Sequence, residues 1–151
     1  MTVTVTLGDP RHPEATALLQ ASHALMQSLF PAEDNHYLSI DALCTPKIRF
    51  FTAIKDNKII GCAALALKDG YGEMKSMFVD PVARGSGTAD ALMLRLEEEA
   101  RVQELPKIML ETGNTLHAAH KLYARHGFAL CGVFGDYHES PSSLFMEKRL
   151  T

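Results

Sequence analysis

Val79-Asp80-Pro81-Val82-Ala83-Arg84-Gly85-Ser86-Gly87-Thr88-Ala89 is the stretch whose reading decides the fold. It leaves an apolar run, breaks at Asp80-Pro81, and enters a segment whose Ala89, Leu92, Met93, Leu96 and Ala100 share one helical face. The start of a helix offers unpaired backbone N–H groups and the positive end of the helix dipole, and both favour an anion. Gly85 and Gly87 remove side chains that would hold a phosphate away from the backbone. Arg84 adds a charged donor at the same edge.

The two common nucleotide motifs do not fit. A P-loop needs Gly-Lys-Ser/Thr, and no lysine stands here. A dinucleotide fingerprint needs glycine or alanine three places after Gly87, where Asp90 is found. That motif also follows a first strand, whereas this turn follows the fourth.

Toward the N-terminus, Glu73 to Val79 reads as a strand preceded by a turn at Asp69-Gly70-Tyr71-Gly72. Ile48 to Ile54 and Lys58 to Leu67 flank Lys55-Asp56-Asn57, the pattern of a β-hairpin. Val3, Val5 and Leu7 alternate with threonines as in a half-buried strand, and Leu18, Ala21/Ser22, Leu25 and Leu29 stripe a helix from Pro13 to about Phe30. Pro31 to Leu43 is expected to hold a short helix or turn, with His36 and Tyr37 near its start. Toward the C-terminus, Ile108-Met109-Leu110 reads as a buried strand. Leu116, Ala119, Leu122 and Tyr123 then stripe a helix closed by Gly127. Phe128 to Phe134 and Ser143 to Lys148 are the last strands, around a loop containing Gly135 and Pro141. With no linker or repeat, residues 1–151 are expected to form one mixed α/β domain.

Composition narrows the function classes. The chain has 151 residues, 46% of them hydrophobic and 22% charged, which suits a globular domain and excludes a disordered or collagenous one. Fifteen basic side chains face eighteen acidic ones, a net charge of −3 that counts against nucleic-acid binding. No apolar run is long enough to span a bilayer, and Met1 to Thr6 carries neither a basic region nor a continuous apolar segment. A cytoplasmic protein without a membrane partner is the expectation. Cys44, Cys62 and Cys131 are odd in number and far apart, so reduced, mostly buried thiols are expected.

Arg84-Gly85-Ser86-Gly87-Thr88-Ala89 resembles the acetyl-CoA signature of the GCN5-related N-acetyltransferases, Gln/Arg-x-x-Gly-x-Gly/Ala. Leu122-Tyr123-Ala124-Arg125-His126-Gly127-Phe128 resembles that family's Leu-Tyr-x-x-x-Gly-Phe, at the expected separation. Pro31-Ala32-Glu33, Gly61-Cys62-Ala63-Ala64-Leu65, Leu110-Glu111-Thr112-Gly113 and Phe134-Gly135-Asp136-Tyr137 are similar to a YsnE-like bacterial subgroup of small-molecule acetyltransferases. The resemblance implies a mixed, mostly antiparallel sheet of about seven strands flanked by about four helices, with the fourth and fifth strands splayed. It departs at Leu116, seven residues before Tyr123, where many members carry a cofactor-contacting asparagine. That role passes neither to Leu116 nor to Asn114.

Acetyl transfer from a thioester to an amine requires in-line placement, removal of a proton from the amine, and care of the oxyanion and the leaving thiolate. The resemblance implies that acetyl-CoA binds along Met77, Phe78 and Val79 and at Arg84, Gly85, Ser86, Gly87, Thr88 and Ala89. An N–H near Met77 or Phe78 would face the thioester oxygen. It also implies Tyr123 as general acid and cofactor contact; the alternative is a half-buried core tyrosine, since Tyr123 shares the Leu116/Ala119/Leu122 stripe. For the general base, Glu73 and Glu111 both remain open, and Lys75 is a same-face partner for Glu73.

His36, Tyr37, Glu111, Asp136 and Tyr137 are candidates for the pocket of a small-molecule amine. Family members are often dimers, so a homodimer is expected from the resemblance alone. His117 and His120 lie three apart on a helix without a third ligand of fitting spacing, and no metal is expected. The alternatives are a non-catalytic acyl-CoA-binding or sensing domain, and a protein N-acetyltransferase.

Overall fold

Hydrophobic alternation and turn chemistry produce a seven-stranded sheet in a computed structural model that describes residues 2–150. In chain order the elements are β1 (Thr4–Leu7), α1 (Pro13–Leu29), a 3₁₀ turn (Ala32–Asp34), α2 (Ile40–Leu43), β2 (Ile48–Lys55), β3 (Lys58–Lys68) and β4 (Tyr71–Val79). A second 3₁₀ turn (Pro81–Ala83) leads to α3 (Thr88–Val102), β5 (Lys107–Gly113), α4 (His117–Arg125), β6 (Ala129–Leu130) and β7 (Ser143–Arg149). The strands lie in the order β1-β2-β3-β4-β5-β7-β6, antiparallel except where β4 meets β5. No helix is long and apolar enough to cross a membrane, among the described residues.

One core packs α3 and α4 on the sheet through Phe51, Leu65, Leu92, Leu96, Ile108 and Leu122. The other lies under α1 and α2, around Leu18, Leu19, Leu43, Phe50 and Cys62. Burying each leucine or phenylalanine contributes roughly 1.5–3 kcal/mol. Leu92, Leu96 and Ala100 are buried on α3, as its stripe predicts.

Three segments differ from the sequence reading. β4 begins at Tyr71, because a tight Asp69-Gly70 turn already brings Tyr71 opposite Lys68. The expected strand from Phe128 to Phe134 shrinks to Ala129–Leu130. After Cys131 the chain leaves β7, and Phe134 turns back onto Tyr71 and Phe145, each with its ring centre 5.7 Å away. On α1 the stripe is buried only at its start, at Leu18, while Leu25 and Leu29 are exposed.

The feature that positions the site is a parting of strands. β4 and β5 are paired only at Gly72–Ile108 and Glu73–Met109. Ser76 and Met77 face a single β3 residue in a bulge between the Ala64–Lys75 and Cys62–Phe78 pairs, and Ser76 has a left-handed φ of 57°. A bulge bends the strand that carries it, and here it turns β4 away from β5. Asp80 donates its N–H to Ile60 on β3. By the alternation of a strand, Phe78 also faces β3, and the backbone groups of Met77 and Val79 face the gap.

Candidate active site

A cavity of about 850 Å³ fills this gap and continues to the open end of α1. One end is made by the glycine turn. Gly87 caps α3 with φ 84° and supplies no side-chain cap, and Gly85 has φ 81°. A Cβ at either glycine would meet nothing within 4 Å, so open space stands before the N–H groups. Arg84 lies over the Phe78 ring at 5.8 Å. Asp90 in the first turn of α3 would oppose an anion, but His126 (2.6 Å) and Arg125 (2.8 Å) hold it. Their hydrogen bonds, His126 first, keep its carboxyl below the ordinary value. The end of the cavity therefore fits a phosphate-bearing group.

Met77, Phe78, Val79, Arg84, Gly85, Gly87, Thr88 and Ala89 all line the cavity. Ser86 does not have its hydroxyl there: it donates to the Ala83 carbonyl and lies 2.7 Å from the buried Thr88 hydroxyl, bracing the turn from behind.

Tyr123 is buried at 6% exposure and lines the middle of the cavity, with no side-chain hydrogen bond among the described residues. Burial, and then the nearby charge of Glu111, push its phenol well above the ordinary value of 10.0. It stays a proton donor. Glu111 lines the same cavity, past the point where β5 loses its β4 partner. Ser143 donates to it at 2.8 Å, yet desolvation dominates and raises its pKa.

Glu73 is placed differently. It is buried, accepts a hydrogen bond from Tyr137 and pairs with Lys75 at 3.5 Å, the partner the sequence indicated. It is absent from the cavity lining. Lys75 also donates to the His36 carbonyl (2.9 Å) and to the Tyr137 hydroxyl (2.7 Å). One ammonium thus ties β4, the segment before α2 and the loop before β7 together.

His36 and Tyr37 line the cavity, in an extended stretch between the 3₁₀ turn and α2 rather than at the start of a helix. Tyr37 stacks on His23 at 4.0 Å and accepts a bond from Gln27. Tyr137 supports the cavity from behind, its ring edge against His36. Asp136 is exposed, outside the lining. Leu116 lines the cavity, whereas Asn114 is exposed with its N–H on Ser142.

Several cavity residues escaped the sequence reading. Asp34 accepts hydrogen bonds from Ser140 (3.2 Å) and Ser142 (2.8 Å), and it lines the cavity. Phe30 lies on Gly113, where an added Cβ would come within 2.2 Å of its ring. The Ser140-Pro141-Ser142-Ser143 cluster was the available signal, since three hydroxyls in one loop have few uses away from polar partners. His117 and His120 stand edge to face at 5.6 Å, and His120 contacts the Gly113 carbonyl. No cluster of three or more metal-ligating side chains occurs among the described residues.

A sheet parted between β4 and β5, with a glycine turn at one end of the gap and a buried tyrosine at its middle, is the arrangement the family resemblance implied. The sequence profile of the acetyltransferase (GNAT) family matches residues 16–128, and the chain belongs to that family. It is 41% identical to the IAA acetyltransferase of Azospirillum brasilense over 150 residues, 98% of each chain. It is 36% identical to the uncharacterized N-acetyltransferase YsnE of Bacillus subtilis (strain 168), covering 83% of this chain and 85% of that one. A Klebsiella pneumoniae structure assigned as an acyl-CoA N-acyltransferase superposes with a TM-score of 0.83 at 32% identity, over 99% of both chains.

Proposed function

We propose that this chain, as a single cytoplasmic domain, moves an acetyl group from acetyl-CoA to the amine of a small molecule by direct attack in a ternary complex. The observation that carries the reading is that Glu111 and the buried Tyr123 line the same cavity as the glycine turn at Gly85 and Gly87.

Bound acetyl-CoA supplies an acyl carbon already activated by its thioester. The N–H groups of Gly85, Gly87 and the first turn of α3, with Arg84, hold the pyrophosphate. The backbone of Met77 and Val79 would pair with the pantetheine arm, and an N–H near Met77 or Phe78 would stabilise charge developing on the thioester oxygen. Glu111 is the general base rather than Glu73, whose carboxylate is committed to Lys75 and Tyr137 outside the cavity. Tyr123 donates its proton to the departing sulfur.

The test is release of CoA thiol by purified protein across an amine panel. Turnover on an amine supports the enzyme; tight acetyl-CoA binding with no turnover on any amine indicates a sensing domain instead. Arg84→Glu should weaken acetyl-CoA about tenfold or more by calorimetry, since it reverses a charge at the phosphate end. Unchanged affinity would count against this site.

Lys75→Met is expected to leave the Glu73 carboxylate buried without its cation, a loss of about 3 kcal/mol in denaturant unfolding. Replacing Glu73 by Gln in the same protein should recover most of it. A Lys75→Met protein as stable as the parent would remove the strut from this account.

A further inference from the structure

The acceptor end is lined by two carboxylates, Asp34 and Glu111, by one lysine, Lys75, and by the His36 imidazole, while Glu73 lies behind the wall, paired with Lys75. The three donors of that lysine are engaged by Glu73, the His36 carbonyl and the Tyr137 hydroxyl. Arg84 and Arg125 belong to the other end, beside Phe78 and Asp90. Asp34 and Glu111 are both oriented by hydroxyls of the Ser140–Ser143 loop, at 2.8 Å from Ser142 and Ser143. Each carboxylate keeps lone pairs for a ligand.

One side of this end is apolar. Leu25 and Met26 of α1 and the Phe30 ring form one wall, and Leu25 is 36% exposed with no core to cover it. Because Gly113 has no side chain, Phe30 sits against the end of β5, two residues from Glu111. A cation-attracting pair of carboxylates thus adjoins an oily wall. An anionic group brought here would meet the charges of Asp34 and Glu111, with Lys75 already engaged and only the His36 imidazole beside Glu111 to offset them.

We infer that the acceptor is a cationic primary amine on an apolar carbon body that carries no carboxylate, and that Asp34 is a specificity-determining residue selecting against amino acids. The inference rests on the proposed N-acetyltransferase reading and deepens it. Glu111 meets the reacting ammonium, Asp34 sets the negative potential around it, and Leu25, Met26 and Phe30 cover the carbon body.

The test compares acceptors that differ only in the carboxylate, with saturating acetyl-CoA and the parent protein. Phenethylamine is set against phenylalanine, and 3-methylbutylamine against leucine. The amine is expected to exceed its amino acid in kcat/KM by about tenfold or more, a difference of about 1.4 kcal/mol. Phenylalanine methyl ester, which keeps the bulk and masks the charge, should behave like the amine. Asp34→Asn should raise KM for the amine, narrow the amine-to-amino-acid ratio, and leave acetyl-CoA affinity unchanged. Amino acids used as well as their amines, or an ester as poor as the free acid, would overturn the inference while leaving the acetyltransferase reading intact. If neither series is acetylated while another amine of the panel is, the inference falls and the acetyltransferase reading stands; no turnover on any amine, although acetyl-CoA binds, overturns both.

Discussion

Tyr123→Phe is expected to lower kcat by about a hundredfold or more, the usual contribution of a positioned general acid. Acetyl-CoA affinity should hardly change, because the ring that packs beside Phe128 is retained. The melting temperature should hold as well, since the lost hydroxyl has no hydrogen bond among the described residues. These two controls separate a chemical role from a packing role. A variant that turns over at the parental rate would end the assignment of Tyr123 as acid.

The second large effect concerns Glu111. Glu111→Gln should cost about a hundredfold in kcat, again the scale of one general base. Desolvation raises its pKa above the ordinary 4.5, so the acid limb of the parental kcat–pH profile should lie above that value and be absent from the variant. Stability should move the opposite way. A carboxyl whose folded pKa is raised favours the folded state most at low pH, and that contribution is lost as pH rises through the folded value. Near neutral pH, Glu111→Gln should therefore melt higher than the parent. Below the ordinary glutamate value the two should converge. A variant that is slow and also less stable at neutral pH would contradict the placement of an ionised carboxylate in a dry wall.

The two residues are linked by charge. Glu111 contributes to the raised pKa of Tyr123. In the proposed reaction, Glu111 would lose its charge on accepting the amine proton, and with it that part of the upward pull on Tyr123. Proton uptake at one wall would then make proton release easier at the other.

The glycine turn, the hairpin and the helix stripes were legible in the sequence because each depends on neighbours in the chain. Asp80-Pro81 ends β4, Asp56-Asn57 adopt the positive φ values of a two-residue turn, and Leu92 and Leu96 keep helical spacing. What was not legible depends on contacts distant in sequence. Choosing between Glu73 and Glu111 required knowing that Tyr137 reaches back to Glu73, sixty-four positions away. Asp34 acquired a role only through Ser140 and Ser142, over a hundred residues later. The shortening of β6 was hidden because Phe134 is as apolar as a strand residue, yet it is spent on an aromatic cluster with Tyr71, Tyr137 and Phe145.

The parting of β4 and β5 also changes how many open borders the sheet has. An uninterrupted sheet has two. This one has four stretches of unpaired peptide groups, the outer ones on β1 and β6 and the inner ones along β4 and β5. The outer borders are short, four and two residues, a common defence against recruiting a strand from another molecule. The inner borders cannot be shortened without losing the site. If the thin arm of acetyl-CoA pairs there as proposed, the substrate-loaded protein is also the one with the fewest places for a stray chain to attach.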